Sequence, residues 1–353
     1  MTGTRTIGLH DAEREAKLKS TNSKTRNSPK FPNIALMKIS AWYKAQGHDV
    51  RWWSDNDCQN SIWYDAVYSS KVFEKTPVNP NLPANTVKGG TGYGLYTELP
   101  PAIDSIMRPD YSLYPDCDYA VGFTSRGCPN RCSWCCVPVK EGGIRHYASW
   151  RDILRPNTPK LWLLDNNILA CEHGLQQLRE IADEYDAYRQ EKRQGTHIRL
   201  DLNQGMDARL VTPDIADILA RITWNTSIRF SCDQMGQVKA INRVYDLLTA
   251  RGIPDSRIHI YFLVTHDLHE VVERIDALRS ISPKLRIYAQ AERNEAKGIV
   301  PNATQKHFAG WYVWRGIWRK TRWEDYCAHY GADPYDPTMK RIYKPVDAQK
   351  AGV

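Results

Sequence analysis

From Asp118 onward the sequence alternates between short apolar runs and longer stretches of helical periodicity, and this alternation restricts the accessible folds more than any other feature. Runs at 119–124, 160–164, 197–202, 227–232, 257–264 and 285–290 predict strands. Between them, Leu175, Leu178, Ile181 and Tyr185 recur at three- and four-residue spacing, as do Val238, Ile241, Tyr245 and Leu248. That spacing places each set on one helix face. Strands separated by helices pair in parallel, because each crossover returns the chain to the same end of the sheet. The expected fold class is therefore α/β. Six units are too few for a full eight-fold barrel of about 250 residues, so residues 118–295 are expected to form a partial (β/α)6 TIM-type barrel.

Residues 1–100 read as a small α/β unit, shortened and flavodoxin-like. Thr6 to Leu9, Val50 to Trp53 and Ala66 to Tyr68 are strand candidates. Pro32 and Asn33 open a helix whose apolar face carries Leu36, Met37, Ile39, Ser40 and Tyr43, and Gly47 closes it. Residues 11–31, rich in Lys and Arg, predict a mobile loop. The run Lys88-Gly-Gly-Thr-Gly-Tyr-Gly94 lacks the Gly-Lys-Ser/Thr of a phosphate loop and the helix that should follow, so a structural turn is expected. Residues 101–117 are expected as a Pro-rich linker, and residues 296–353 as a C-terminal helical extension.

Over 353 residues, 42% hydrophobic content suffices for a sizeable core, and a net charge of +8 permits an anionic partner. No run of eighteen apolar residues exists, so no membrane association is expected. Charge precedes any apolar stretch at the N-terminus, unlike a secretory signal. Nine cysteines, an odd number and clustered, fit a reducing cytoplasm and metal binding better than disulfides.

Four of those cysteines lie in GFTSRGCPNRCSWCCVPV, directly after the first predicted barrel strand. Cys128-x3-Cys132-x2-Cys135 sets three thiols on one short loop. Three thiolates leave one iron of a four-iron cluster without a protein ligand, free to bind a small chelating molecule. Structural zinc usually takes four N/S ligands, often as two separated pairs. No second pair follows here, although Cys136 or a distant residue could serve as the fourth. The spacing favours iron–sulfur, with zinc as the alternative and Cys136 as a bystander.

The Cys-x3-Cys-x2-Cys spacing after a strand resembles the radical S-adenosylmethionine (SAM) superfamily, and Trp134 stands where that family usually carries an aromatic residue. The resemblance covers roughly residues 118–295 and implies the same partial barrel. It further implies a 4Fe–4S cluster on Cys128, Cys132 and Cys135, with SAM as co-substrate and a low-potential donor of the flavodoxin or ferredoxin type. In a parallel barrel, reactive groups gather at the C-terminal strand ends. Asp165 and Asn166 follow the second strand, where the family often has Gly-Gly-Glu binding the SAM amino group. Asp201, Asn203, Gln204, Asp207 and Arg209 follow the third. Arg229, Ser231 and Asp233 end the fourth, where the family places ribose and carboxylate contacts. Thr265 and His266, then Gln290 and Arg293, follow the last two. Taken singly, each is more often a helix cap or a surface residue; taken together, six polar strand ends look like one polar cavity.

The first hundred residues also resemble the N-terminal domain of cobalamin-binding members of that superfamily. The Asp-x-His-x-x-Gly that ligates cobalt is missing, so no cobalamin is expected. The first hundred residues offer only Cys58, which marks down methylthiotransferases, and Cys327 alone stands late enough for a C-terminal auxiliary-cluster domain. Trp311, Trp314 and Trp318 would share one helical face with Arg315, Arg319, Lys320 and Arg322 elsewhere, which reads as a core helix ahead of a nucleobase-stacking surface. The reading is a radical SAM enzyme acting on an unknown substrate, with nucleic acid among the candidates. Its rival is a non-catalytic, zinc-binding, nucleic-acid-binding protein.

Overall fold

The computed structural model describes residues 3–57, 63–94, 97–156, 158–190, 197–294 and 297–339. The chain divides into two units, Met1–Asp165 with Gly195–Leu200, and Asn166–Gln194 with Asp201–Val353. The division falls inside the segment expected as the barrel. Cys58 lies outside the described residues.

The first unit begins with β1 (Thr6–Asp11) and two short helices, α1 (Ala12–Leu18) and α2 (Ser23–Asn27). The expectation of a mobile loop over 11–31 is corrected here: Asp11 accepts from the Arg14 N–H and Asn22 from those of Lys24 and Thr25. Each Asx side chain caps otherwise unpaired amides, which lets polar sequence turn helical. α3 (Ile34–Ala45) starts on an Asn33 cap and stops before Gly47. β2 (Asp49–Trp52), β3 (Ala66–Ser70) and β4 (Val87–Gly89) complete a parallel sheet in the order β2-β1-β3-β4. Its core holds Ile7, Leu9, Leu36, Met37 and Ile39. Ile103, on α4 (Pro101–Asp104), joins it together with Leu113, Tyr114 and Cys117, so residues 101–117 form a packed connection rather than a free one. The glycine run is a bonded turn: the Gly92 N–H donates to Lys71 O at 2.9 Å and the Tyr93 N–H to Gly90 O at 3.0 Å. Tyr93 reaches Ser69 Oγ at 2.8 Å, Ser69 meets His10 Nδ1 at 2.7 Å, and His10 Nε2 meets Glu15 at 3.0 Å. Ser69 is 2% exposed, so this chain of bonds ties β1, β3 and the turn together.

The rest of the first unit comprises β5 (Ala120–Gly122), β6 (Ser125–Arg126), α5 (Val137–Lys140), β7 (Arg145–His146), α6 (Trp150–Ile153) and β8 (Lys160–Leu163). β5 and β8 are parallel, and β6 and β7 form an antiparallel pair. Next come α7 (Glu172–Gln190), β9 (Arg199–Leu202), α8 (Pro213–Arg221), β10 (Ile228–Ser231), α9 (Val238–Thr249), β11 (Ile258–Val264), α10 (Leu268–Ile281) and β12 (Arg286–Ala291). The strand orders are β5-β8-β9 and β10-β11-β12, and Met206, just after β9, makes an isolated parallel bridge to Phe230 of β10. All six strand candidates are present within two residues of their expected bounds, and the chain is mixed α/β with parallel sheets. On β11 Ile258, Ile260, Phe262 and Val264 are buried while His259, Tyr261 and Leu263 are half-buried, the period-2 pattern of a strand with two unlike faces.

The tail departs from the single helix expected of it. α11 (Ala303–His307) runs into a π-helical turn over Phe308–Val313, Gly316 turns left-handed at φ +74°, and α12 (Trp323–His329) follows a short 3-10 turn. The left-handed region suits glycine because it has no Cβ to collide with the following carbonyl. This break separates the tryptophans: Trp318 is 1% exposed and Trp314 66%. Among the described residues, no helix is long and apolar enough to cross a membrane.

Candidate functional site

The cysteines sit on a loop closed at its base. β6 and β7 pair Ser125 with His146 and Arg126 with Arg145, so residues 127–144 leave and return at one point. Arg126 grips Glu141 with two bonds, Nε to Oε2 at 2.9 Å and Nη2 to Oε1 at 2.6 Å. Arg145 donates to the Glu141 carbonyl at 2.6 Å. Two parallel N–H···O bonds fix both distance and angle, which one ammonium could not do. Gly127 adopts φ +84°, and a Cβ there would strike the Gly143 carbonyl. That close approach lets the Cys128 N–H donate to Gly142 O at 3.2 Å.

Within the loop the Cys135 N–H donates to Cys132 O at 3.1 Å, and the Val137 N–H lies 3.4 Å from Cys135 Sγ. α5 starts straight after Cys136, whose carbonyl accepts from the Lys140 N–H at 2.9 Å. The Lys140 ammonium reaches Thr91 of the glycine turn at 2.9 Å. Cys128, Cys132, Cys135, Cys136 and Trp134 are all half-buried, and none of these cysteines forms a disulfide. Burial raises the pKa of the Cys135 thiol, and the neighbouring Cys136, Cys132 and Cys128 raise it further against the Val137 N–H. Among the described residues, however, no three His, Cys, Asp or Glu side chains are drawn together closely enough to hold a metal ion.

From sequence, Asp165 is expected to emerge at the strand-end rim as a SAM contact. The structure instead buries it at 4% exposure, directly under the approach to the cysteine loop. Its carboxylate accepts from the N–H of Thr124 (3.0 Å) and of Ser125 (2.5 Å) and from both hydroxyls (2.7 Å each). Burial pushes its pKa up, and those bonds act in the opposite sense. Nor does Asp165 cap a helix, since α7 begins only at Glu172. Its role in this structure is to hold the chain between β5 and the loop.

The other strand-end residues differ among themselves. Arg229 is tied to the fully buried Asp201 and to Thr226 Oγ1 at 2.9 Å, so its guanidinium is committed. Asp207 caps the following turn and pairs with Arg209 at 2.7 Å. The Asn203 carbonyl accepts from the Tyr261 hydroxyl at 2.8 Å. Asp233 accepts from the Leu263 N–H at 3.2 Å, and burial pushes its carboxyl up to about 6 despite the nearby Arg274. Asn166, Asn203, Ser231, Asp233 and Thr265 are half-buried, whereas Gln204, His266, Gln290 and Arg293 are exposed.

Sequence reasoning missed Thr124, Ser125, Arg126 and Glu141, the residues that frame the loop. A signal was present in the Glu141-Gly-Gly143 string closing the motif, with Arg126 opening it. A scan against models of protein families finds no match, and a search of curated proteins likewise returns none.

Proposed function

We propose that the chain is a radical SAM enzyme whose Cys128, Cys132 and Cys135 hold a 4Fe–4S cluster. The observation that carries the reading is a loop closed by the β6–β7 pair directly after a parallel strand, with three half-buried thiols at Cys-x3-Cys-x2-Cys spacing. The donor set fits an iron–sulfur cluster, because soft thiolates suit iron and three of them leave one iron open to SAM. When bound, that cluster with SAM supplies one-electron cleavage of the sulfonium, giving a 5′-deoxyadenosyl radical that takes hydrogen from a substrate. The protein's own part is to fix the loop through Asp165, Arg126–Glu141 and Gly127 and to shield it by half-burial, as cofactor enzymes generally do. The resemblance assigns the cofactor's polar contacts to Asn166, Asn203, Ser231 and Asp233, and Trp134 directly precedes the third thiol in sequence. Arg229 and Asp165 are left out because Arg229 is paired with Asp201 and the Asp165 carboxylate is taken up by the amides and hydroxyls of Thr124 and Ser125.

The finer fold in this reading is a partial (β/α)6 barrel. Its support is the sequential strand order of two sheets, β5-β8-β9 and β10-β11-β12, and the parallel Met206–Phe230 bridge from the segment after β9 to β10. A low-potential flavodoxin- or ferredoxin-type donor is implied, and no cobalamin is assigned. The substrate stays open at this level.

One observation favours the zinc reading: Cys136 follows Cys135 directly and is half-buried like it, so a fourth sulfur lies on the same loop. Metal and sulfide analysis after anaerobic purification decides between them. About four iron and four sulfide per chain, with reductive release of 5′-deoxyadenosine from SAM, support the enzyme. One zinc without sulfide overturns it.

A further inference from the structure

The face of the β10–β12 sheet opposite the buried Ile258, Ile260, Phe262 and Val264 carries a connected set of rings. In register, Arg229, His259 and Arg286 lie side by side across the strands, as do Ser231, Tyr261 and Tyr288. His259 and Tyr261 have ring centroids 5.4 Å apart, Tyr261 and Tyr288 5.9 Å, and Tyr288 and Trp314 6.1 Å, the last two pairs edge-to-face. The series runs from half-buried to open: Tyr288 is 41% exposed and Trp314 66%. Isolated apolar side chains at a surface need no explanation, but two large aromatic rings in contact and uncovered do.

The charges beside them are cationic. Burial, with Arg229 and Arg286 alongside, pushes His259 down to about 4, so its ring is neutral at physiological pH and the positive field comes from arginine. Arg286 projects from the same strand face as Tyr288, two residues along, and is exposed. Arg315 adjoins Trp314 and lies 4.5 Å over the ring of Trp311. Among the described residues, no hydrogen bond or ion pair engages the guanidinium of Arg286 or Arg315. Open rings beside exposed guanidinium groups that have no acidic partner among the described residues match a ligand with flat faces and regularly spaced negative charge.

We propose that Tyr288, Trp314, Arg286 and Arg315 form a docking surface for single-stranded nucleic acid. Bases stack on the two rings and phosphates pair with the two guanidinium groups. The surface requires no metal, so it stands whether or not the cysteine loop carries a cluster. An acidic protein would satisfy the arginines but leave the exposed ring of Trp314 without a function.

Fluorescence anisotropy on the full-length protein tests this, with labelled RNA and DNA single strands of about 12 nucleotides, the matching duplex, and polyglutamate as a purely anionic competitor. Metal content is assayed on each sample so that binding and cluster loading are scored separately. Saturable single-strand binding that weakens steeply with salt is expected, for RNA, DNA or both. Trp314→Ala should weaken it about tenfold. The double variant Arg286→Ala/Arg315→Ala should weaken it similarly and reduce the salt dependence by about two phosphate contacts. Both variants alter exposed side chains and should keep the parent melting temperature. The proposal is overturned by no saturable binding at low salt, by duplex binding as tight as single-strand binding, by an unchanged Trp314→Ala, or by polyglutamate displacing the strand as well as unlabelled oligonucleotide does. That last outcome would point to an acidic protein partner.

Discussion

In the loop from Gly127 to Ile144 the flanking charged side chains engage backbone or one another, whereas on the β10–β12 face the outermost ones are uncovered. Glu141 joins Arg126 and Arg145, Asp165 takes two amides and two hydroxyls, and the thiols remain the loop's chemically distinctive groups. On the sheet face the inner groups are committed, Arg229 to Asp201 and Tyr261 to the Asn203 carbonyl, while Tyr288 and Trp314 are open. Metal ligation tolerates only a few tenths of an ångström of error, so its support must be rigid. Stacking on a chain of bases needs area and charge, and tolerates motion. The two regions suggest a division between where chemistry is fixed and where a long ligand is gripped.

The sharpest way to break the comparison is to remove ligands from the rigid side. Cys128→Ala, Cys132→Ala and Cys135→Ala should each reduce iron to background, while Cys136→Ala keeps most of it; iron and sulfide assays after reconstitution check this. Loss at Cys136→Ala as well would convert the loop into a four-thiol site and remove the open iron.

A smaller effect probes the support beneath the loop. Asp165→Ala leaves two buried amides and two hydroxyls without their acceptor, a loss of about 4 kcal/mol at roughly 1–3 kcal/mol per group with partial repair by water. Cluster loading should fall with stability, yet SAM affinity of the loaded fraction should stay at the parent value. Weakened SAM affinity at full loading would restore Asp165 as a cofactor contact. On the same scale, Trp318→Ala should cost about 4 kcal/mol by opening a cavity, and Trp314→Ala less than about 0.5 kcal/mol. Melting curves of the pair test whether the tail divides into a core ring and a surface ring.

An effect below that at Asp165 concerns Asp233, whose folded pKa of about 6 exceeds its ordinary value of 3.8. The folded state therefore holds an extra proton between those values, and stability falls as pH rises through that window. Asp233→Asn keeps an oxygen for the Leu263 N–H and leaves Arg274 its 3.1 Å pair with Glu270. It should flatten the pH dependence from about 4 to about 6 and be more stable at pH 7 by up to about 3 kcal/mol. Chemical denaturation at both ends of the window measures this. An unchanged slope would place the titration elsewhere.

The strands and most helices were legible because their signals are local. Period-2 and period-3.6 patterns, an Asn33 cap and a Gly47 stop lie within a few residues of the elements they specify. The cysteine motif can be read for the same reason, since eight residues span Cys128, Cys132 and Cys135. The short helices at 12–27 escaped because their caps compete with a charge-rich composition that reads as loop.

Sequence by itself determined the alternation of strands and helices, the spacing of three thiols and the presence of aromatic and basic residues in the tail. Tertiary structure alone decided which of those residues were committed. Asp165 binds Thr124 across 41 positions of chain, and no local pattern encodes that its carboxylate faces a backbone turn instead of a ligand. Trp314 and Trp318 are the same residue type four positions apart, yet a left-handed Gly316 and a π-helical turn send one to the surface and the other into the core. Burial is a property of what packs opposite, and that partner is set by the fold rather than by the neighbours in sequence.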